Sequence, residues 1–177
     1  FSEYSYNLQP EHCKEISIKL DIVAKSNYAG IIIAHGTDTM HYTSSFLSFA
    51  LSGFPIPIAL VGSQRSSDRP SSDAALNLIA ATKFLTESKT KGIYVIMHND
   101  SNDDTVACHK GTRVRKNHTS KRGAFETVGD NPAFIVSEDK ILRNANEEFF
   151  KSKKYEPRLD LSLIHISEPT RRTPISY

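Results

Sequence analysis

Two patterns of apolar residues alternate along the first part of the chain. From Pro10 to Ser26 they recur at spacings of three and four, with Cys13, Ile16, Leu20 and Val23 on one stripe. That spacing predicts an amphipathic helix, and Pro10 suits its first position, where no amide hydrogen is needed. Ala29 to Ala34 is a continuous apolar run, the pattern of a strand buried on both faces of a parallel sheet. A second helix follows, capped by Asp38 or Thr39, with Tyr42, Phe46 and Phe49 on one face and Gly53 as its stop. "IPIALVG" (Ile56 to Gly62) predicts a second buried strand. The polar stretch "SSDRPSSD" (Ser66 to Asp73) leads into a third helix, Ala74 to about Ser88, with Ala75, Leu78, Ile79 and Leu85 turned inward. "IYVIMH" (Ile93 to His98) predicts a third strand. Beyond Thr105, "TVACHKGTRVRK" reads as extended and basic, and "AFIVSEDKILR" (Ala133 to Arg143) as a hairpin.

Buried strands alternating with amphipathic helices predict an α/β fold, a three-layer sandwich around a mostly parallel sheet. Ligands of such sheets bind beyond the carboxyl ends of the strands. Three loops follow those ends here, at 35–39, 62–73 and 98–104, and they are the expected carriers of a site.

Composition narrows the class without choosing within it. The 177 residues suffice for one domain with a real core; 38% are hydrophobic, 24% charged, and the formal net charge is +2. Cys13 and Cys108 are too few and too far apart for a disulfide framework or a thiolate metal site, and are expected as buried free thiols in a reducing compartment. No apolar run reaches the length of a membrane span, no signal segment stands at Phe1, and there is no initiator Met. The expectation is a cytoplasmic protein cut at its N-terminus. Residues 161–177, beginning "LSLIHISEPTR", look like translated sequencing adapter and are set apart from the domain expected over 1–160.

Chemistry concentrates in two stretches. In "HGTDT" (His35 to Thr39), a hydroxyl stands beside a carboxylate, after a glycine that lets backbone pass close to a ligand. Thr37 is a poor nucleophile without a base, and Asp38 can hold a cation, either a substrate ammonium or an oriented lysine. Asp38 and Thr39 can equally be plain helix caps. Lys116 lies among Lys110, Arg113, Arg115, Lys121 and Arg122. Such crowding could lower a lysine pKa enough to make a base; a solvated basic loop and an RNA-phosphate patch account for the same residues. The seven histidines include no helical ligand pair, so no metal is expected, and no phosphate loop, dinucleotide fingerprint or serine-hydrolase elbow is present.

Three blocks, "GIIIAHGTDTMHYT", "VGSQRSSDRPSSDAALN" and "HKGTRVRKNHTSKR", together resemble the asparaginase/glutaminase family, in the family's order and over Tyr4 to Val136. The second and third blocks resemble its branch of archaeal glutamyl-tRNA(Gln) amidotransferase D subunits. The resemblance implies a threonine amidohydrolase with Thr37, Asp38 and Lys116 as catalytic residues. By the same resemblance Ser5, Gly36 and Ser63 bind substrate, Asp38 takes the α-ammonium of glutamine, and the Thr37 amide helps bind the oxyanion. It implies further a homodimeric core, no cofactor in this subunit, and a kinase-like transamidase partner (the E subunit) holding ATP and Mg2+ and engaging tRNA(Gln). Two departures stand out. The family's Gly-rich turn with the first, attacking threonine has no match in the sequence, and Tyr6 replaces the acid or amide expected after Ser5, with Ser2-Glu3 as a second register.

Overall fold

The computed structural model describes residues 7–100, 102, 104–145 and 154–159. Ser5, Tyr6, the Ser2-Glu3 register and the tail at 161–177 lie outside them. The first elements follow the sequence pattern closely: α1 (Pro10–Val23), β1 (Ile31–Ala34), α2 (Met40–Ala50), β2 (Pro57–Val61), α3 (Ala74–Glu87) and β3 (Gly92–His98). Next come β4 (Val106–Lys110), β5 (Val114–Lys116), β6 (Phe125–Thr127), β7 (Phe134–Val136) and β8 (Ile141–Arg143). β7 and β8 pair antiparallel, the hairpin expected over Ala133 to Arg143.

One sheet runs in the order β1-β2-β3-β4-β7-β8, and β5 and β6 form a separate antiparallel pair. β1, β2 and β3 are parallel, whereas β4, β7 and β8 each run against their neighbour. β1, β2, β3 and β7 therefore share one direction, four of six strands. In-register pairing of Ala34 with Val61, and of Val61 with Ile96, brings three strands to their carboxyl ends at one level.

Side chains alternate across this sheet and divide the core in two. Ile58, Leu60, Val95 and Met97 face α1 and α2 and pack with Leu20, Met40, Leu47 and Phe125. Ala59, Val61, Tyr94 and Ile96 face α3 and pack with Ala81, Phe84, Cys108 and Phe134. Both cysteines are buried and free, and burial raises both thiol pKa values.

Three expectations need correction. β1 is not buried on both faces: Ile31, Ile32 and Ile33 are only half buried, because β1 is the edge of the described sheet. On α2, Tyr42 and Phe49 are 68% and 60% exposed; the inward face is Met40, Thr43, Ser44, Phe46, Leu47 and Ala50. Small residues are wanted there because the start of the β4–β5 turn sits against the helix: a Cβ on Gly111 would lie 2.6 Å from Ser48 Oγ and 2.9 Å from Ser44 O. On α3, Leu78 and Ile79 are exposed, as is Ala75, and the buried stripe is Asn77, Ala80, Ala81, Phe84 and Leu85. Asn77 is held inward by hydrogen bonds, which sets the rotation of the helix.

His109 on β4 is buried beneath the β5–β6 pair, its Nδ1 2.8 Å from Thr127 Oγ1 and its Nε2 without a partner among the described residues. Burial lowers its pKa from 6.5 to about 4. The folded protein therefore refuses a proton that the unfolded chain accepts between those values. Stability is full above about pH 6.5, falls with falling pH, and has lost on the order of 3 kcal/mol by about pH 4 from this group. Urea denaturation at stepped pH checks this: His109→Gln should be less pH-sensitive than the parent in that window, and equal slopes would remove His109 as a cause.

Candidate active site

The site begins where β1 ends. His35 extends the ladder by one bond, its N–H donating to Val61 O at 2.8 Å, after which Gly36, Thr37 and Asp38 turn the chain into α2. Thr39 is the residue capping α2, but no side chain makes the cap hydrogen bond; the backbone closes the turn, with Tyr42 and Thr43 N–H donating to Thr39 O. The His35 ring braces the turn from below. Its Nδ1 lies 2.6 Å from Gly36 O and its Nε2 2.9 Å from Thr43 Oγ1. Burial lowers the His35 pKa, the Gly36 carbonyl opposing it in part. A neutral ring that donates from Nδ1 and accepts at Nε2 satisfies both contacts.

The end of β2 supports the same turn. A Cβ on Gly62 would lie 2.5 Å from His35 O, 2.7 Å from the Met40 methyl and 3.3 Å from Thr37 Cγ2, so only glycine fits without a shift. Ser63 follows it, half buried. Gly62→Ala should cost about 1–3 kcal/mol and move the Thr37 turn, which denaturation and a crystal structure of the variant would check.

The loop after β2 is fixed from inside by Asp73, 1% exposed. Its carboxylate accepts from Gln64 N at 3.1 Å, Arg65 N at 3.0 Å and Asn77 Nδ2 at 3.0 Å. Asn77 also donates to Gly62 O at 3.0 Å and bonds His98 Nδ1 at 3.0 Å through its Oδ1. One buried network thus joins the carboxyl ends of β2 and β3 to the first turn of α3.

Lys116 reaches this point from the far side of the fold. Ser44 Oγ donates to Gly111 O at 3.1 Å and Gly111 N–H to Ile93 O at 2.8 Å, fixing the turn that feeds β5. After Lys116, Gln64 Nε2 holds the next loop by donating to Lys121 O at 2.8 Å and, more weakly, to Thr119 O at 3.4 Å. The ammonium of Lys116 then donates to Thr37 Oγ1 at 2.8 Å and to Asp38 Oδ1 at 3.0 Å. Its side chain is 8% exposed and that of Asp38 60%. A half-exposed ion pair adds little stability, so the main effect of Asp38 on Lys116 is orientation. A hydroxyl and a carboxylate joined through one amine can pass a proton to or from a group bound above the turn, with the exposed carboxylate facing solvent from which a cation can approach.

The structure therefore brings Thr37, Asp38 and Lys116 together, with Gly36 in the same turn and Ser63 next in the chain after Gly62, which packs against it. Ser5 lies outside the described residues. Of the three loops expected to carry a site, those at 35–39 and 62–73 meet at the Thr37 turn, where a Gly62 Cβ would stand 3.3 Å from Thr37 Cγ2. Among the described residues of the loop after β3, Asn99 O lies 2.9 Å from where a Gly123 Cβ would stand, in the segment that follows Lys116. Sequence reasoning passed over His35, Gly62, Gln64, Asp73 and Asn77. The one signal available for the last two was their one-turn spacing on α3. No group of three metal-ligating side chains occurs among the described residues.

This architecture, an α/β sandwich with Thr, Asp and Lys at the carboxyl ends of its strands, belongs to one class. A sequence profile described as "Asparaginase, N-terminal" matches residues 1–148, and the chain belongs to the asparaginase family. Among known proteins it is 52% identical over 128 residues to the D subunit of glutamyl-tRNA(Gln) amidotransferase from Methanococcus maripaludis, covering 72% of this chain and 30% of that protein. It is 41% identical over 160 residues to the protein of the same name from Pyrococcus furiosus, covering 90% of this chain and 36% of that one. The thermostable L-asparaginase of Thermococcus kodakarensis superposes with a TM-score of 0.73 at 34% identity, over 84% of this chain and 43% of that one. The chain thus spans about a third of the length of the curated relatives it matches.

Proposed function

We propose that this chain is the nucleophile-supporting half of a glutamine amidohydrolase, a subunit that releases ammonia for tRNA-dependent amidation of Glu-tRNA(Gln) to Gln-tRNA(Gln). The observation that carries the reading is the Lys116 ammonium bridging Thr37 Oγ1 and Asp38 Oδ1. The chemistry is acyl transfer. A threonine hydroxyl attacks the side-chain amide carbon while Lys116, in its neutral amine form, takes the proton through the Thr37 hydroxyl, and the tetrahedral oxyanion rests on the Thr37 amide. The C–N bond breaks as the leaving amine takes a proton and departs as ammonia. Water then hydrolyses the ester. Asp38 holds the α-ammonium of glutamine, with Gly36, Ser63 and Ser5 completing the substrate contacts.

The attacking threonine belongs to the family's Gly-rich turn, which has no counterpart in these residues. The 177-residue chain alone is therefore expected to show no appreciable turnover. ATP, Mg2+ and tRNA(Gln) fall to the partner subunit, the active form has a homodimeric core, and the setting is cytoplasmic. The names of the 41–52% identical relatives support the amidotransferase branch. The asparaginase neighbour favours a second reading, a free asparaginase. Ammonia release from glutamine and asparagine by the completed protein, with and without the partner and tRNA, decides between them. Strong asparagine hydrolysis without a partner would sink the amidotransferase reading, and robust glutaminase activity from the chain alone would refute its dependence on the missing turn.

A further inference from the structure

On the other side of β5 from Lys116 lies a cavity of about 540 Å3, lined by His41 and Tyr42 of α2, Thr112 to Arg115, and Val128 and Gly129. Its volume is in the range of small-ligand sites. Alternation along the strand sends Arg113 and Arg115 to this side, away from Lys116. The Arg115 guanidinium makes no hydrogen bond or salt bridge among the described residues, although Glu126 stands directly opposite it on the paired strand with its carboxylate accepting from Asn117 Nδ2, and Arg113 lies 4.0 Å from Asp130. Next to this pair of cations stand two large exposed surfaces, the Tyr42 ring and the Val128 side chain. The His41 and Tyr42 rings lie 4.1 Å apart between centroids. His41 Nδ1 is buried with no hydrogen-bond partner, and burial together with the charges of Arg115 and Lys116 lowers the His41 pKa. The cavity's own lining thus holds two guanidinium groups and no carboxylate, with Glu126 and Asp130 beside it, together with a ring nitrogen without a mate and an aromatic face.

We propose that this cavity binds a nucleotide phosphate ester, free or at an unpaired position of an RNA strand. Arg113 and Arg115 clamp the phosphate oxygens, a task guanidinium groups suit through paired parallel N–H donors. The Tyr42 ring offers a stacking surface for the base, which a bare anion does not use. His41, once the anion is seated, gains a partner for Nδ1 and a neighbour of opposite charge, so its pKa rises on binding. Thr37, Asp38 and Lys116 are not among its lining residues, and its occupancy does not depend on the amidohydrolase reading.

The test uses the 177-residue chain at low salt, with three probes: adenosine monophosphate, a labelled eight-nucleotide single-stranded RNA, and inorganic phosphate. Calorimetry should find a nucleotide probe binding about tenfold or more tighter than inorganic phosphate. Arg113→Gln with Arg115→Gln should weaken that binding about tenfold or more, and Tyr42→Ala should erase the advantage over inorganic phosphate. All three side chains are exposed, so the variants should melt like the parent. Binding of the RNA alone assigns the ligand to a strand, and equal binding per nucleotide assigns it to free nucleotide. The proposal is overturned if none of the probes binds, if inorganic phosphate binds as tightly as the nucleotides, or if the double arginine variant binds unchanged. A His41 pKa, followed by imidazole nitrogen shifts, that stays put on saturation would also overturn it.

Discussion

Lys116→Met in the completed protein should lower kcat for ammonia release about a thousandfold or more while leaving the fold intact. The two halves of that expectation come from different observations. Lys116 Nζ is 2.8 Å from the Thr37 hydroxyl, and no other amine contacts that hydroxyl among the described residues, so methionine removes the amine that exchanges a proton with it. Methionine keeps the long apolar stem that fills the space under the loop, and the partner it abandons, Asp38, has a 60% exposed side chain that water can satisfy. The stability loss should stay within about 1 kcal/mol. Lys116→Arg is the sharper control. It retains the ion pair with Asp38, but a guanidinium does not give up its proton, and its planar fork does not fit the place of an ammonium between Oγ1 and Oδ1. Activity near the parental level in Lys116→Arg would show that charge alone matters and would end the proton-transfer role.

The parts of this site that sequence made legible are those written in local order. "IIIAHGTDT" shows a strand, its stop and its chemistry in nine consecutive residues, and the structure keeps that order. Lys116 was legible as a candidate only, because a lysine 79 positions from Thr37 in a basic stretch carries no local sign of where it points. Helix faces failed for a related reason. Periodicity finds a stripe, but on α3 the stripe of larger residues, Leu78 and Ile79, faces out while Asn77 and two alanines face the sheet. Hydrogen bonds to Asp73, Gly62 and His98 decide that rotation, and no hydropathy pattern registers them. The half-burial of β1 follows from what stands beside it in the sheet, a property of topology rather than of the three isoleucines. The antiparallel half of the sheet was hidden likewise, since a short buried strand such as Val106–Lys110 reads the same in either direction.

Asp73→Ala should be the most damaging single change outside Thr37, Asp38 and Lys116, costing about 2–5 kcal/mol of stability and a large part of any activity. The carboxylate is 1% exposed and accepts three hydrogen bonds, two from the backbone of Gln64 and Arg65 and one from Asn77. Alanine leaves two main-chain N–H groups and one amide hydrogen without their acceptor, and water has little access to replace it. Although Asp73 occupies the capping position of α3, its side chain makes no cap bond, so the loss is one of loop support and not of helix capping. That loop carries Gly62 against the Thr37 turn, and through Gln64 it holds the backbone of Thr119 and Lys121 that follows Lys116. Asp73→Asn should recover part of the loss, since one oxygen still accepts while the new NH2 group faces donors. In a double-mutant cycle, Gln64→Ala should cost much less in the Asp73→Ala background than in the parent, because the loop that aims Gln64 has already been released. Additive effects in that cycle, or an Asp73→Ala variant within ~0.5 kcal/mol of the parent, would mean that the carboxylate does not hold the two halves of the site together.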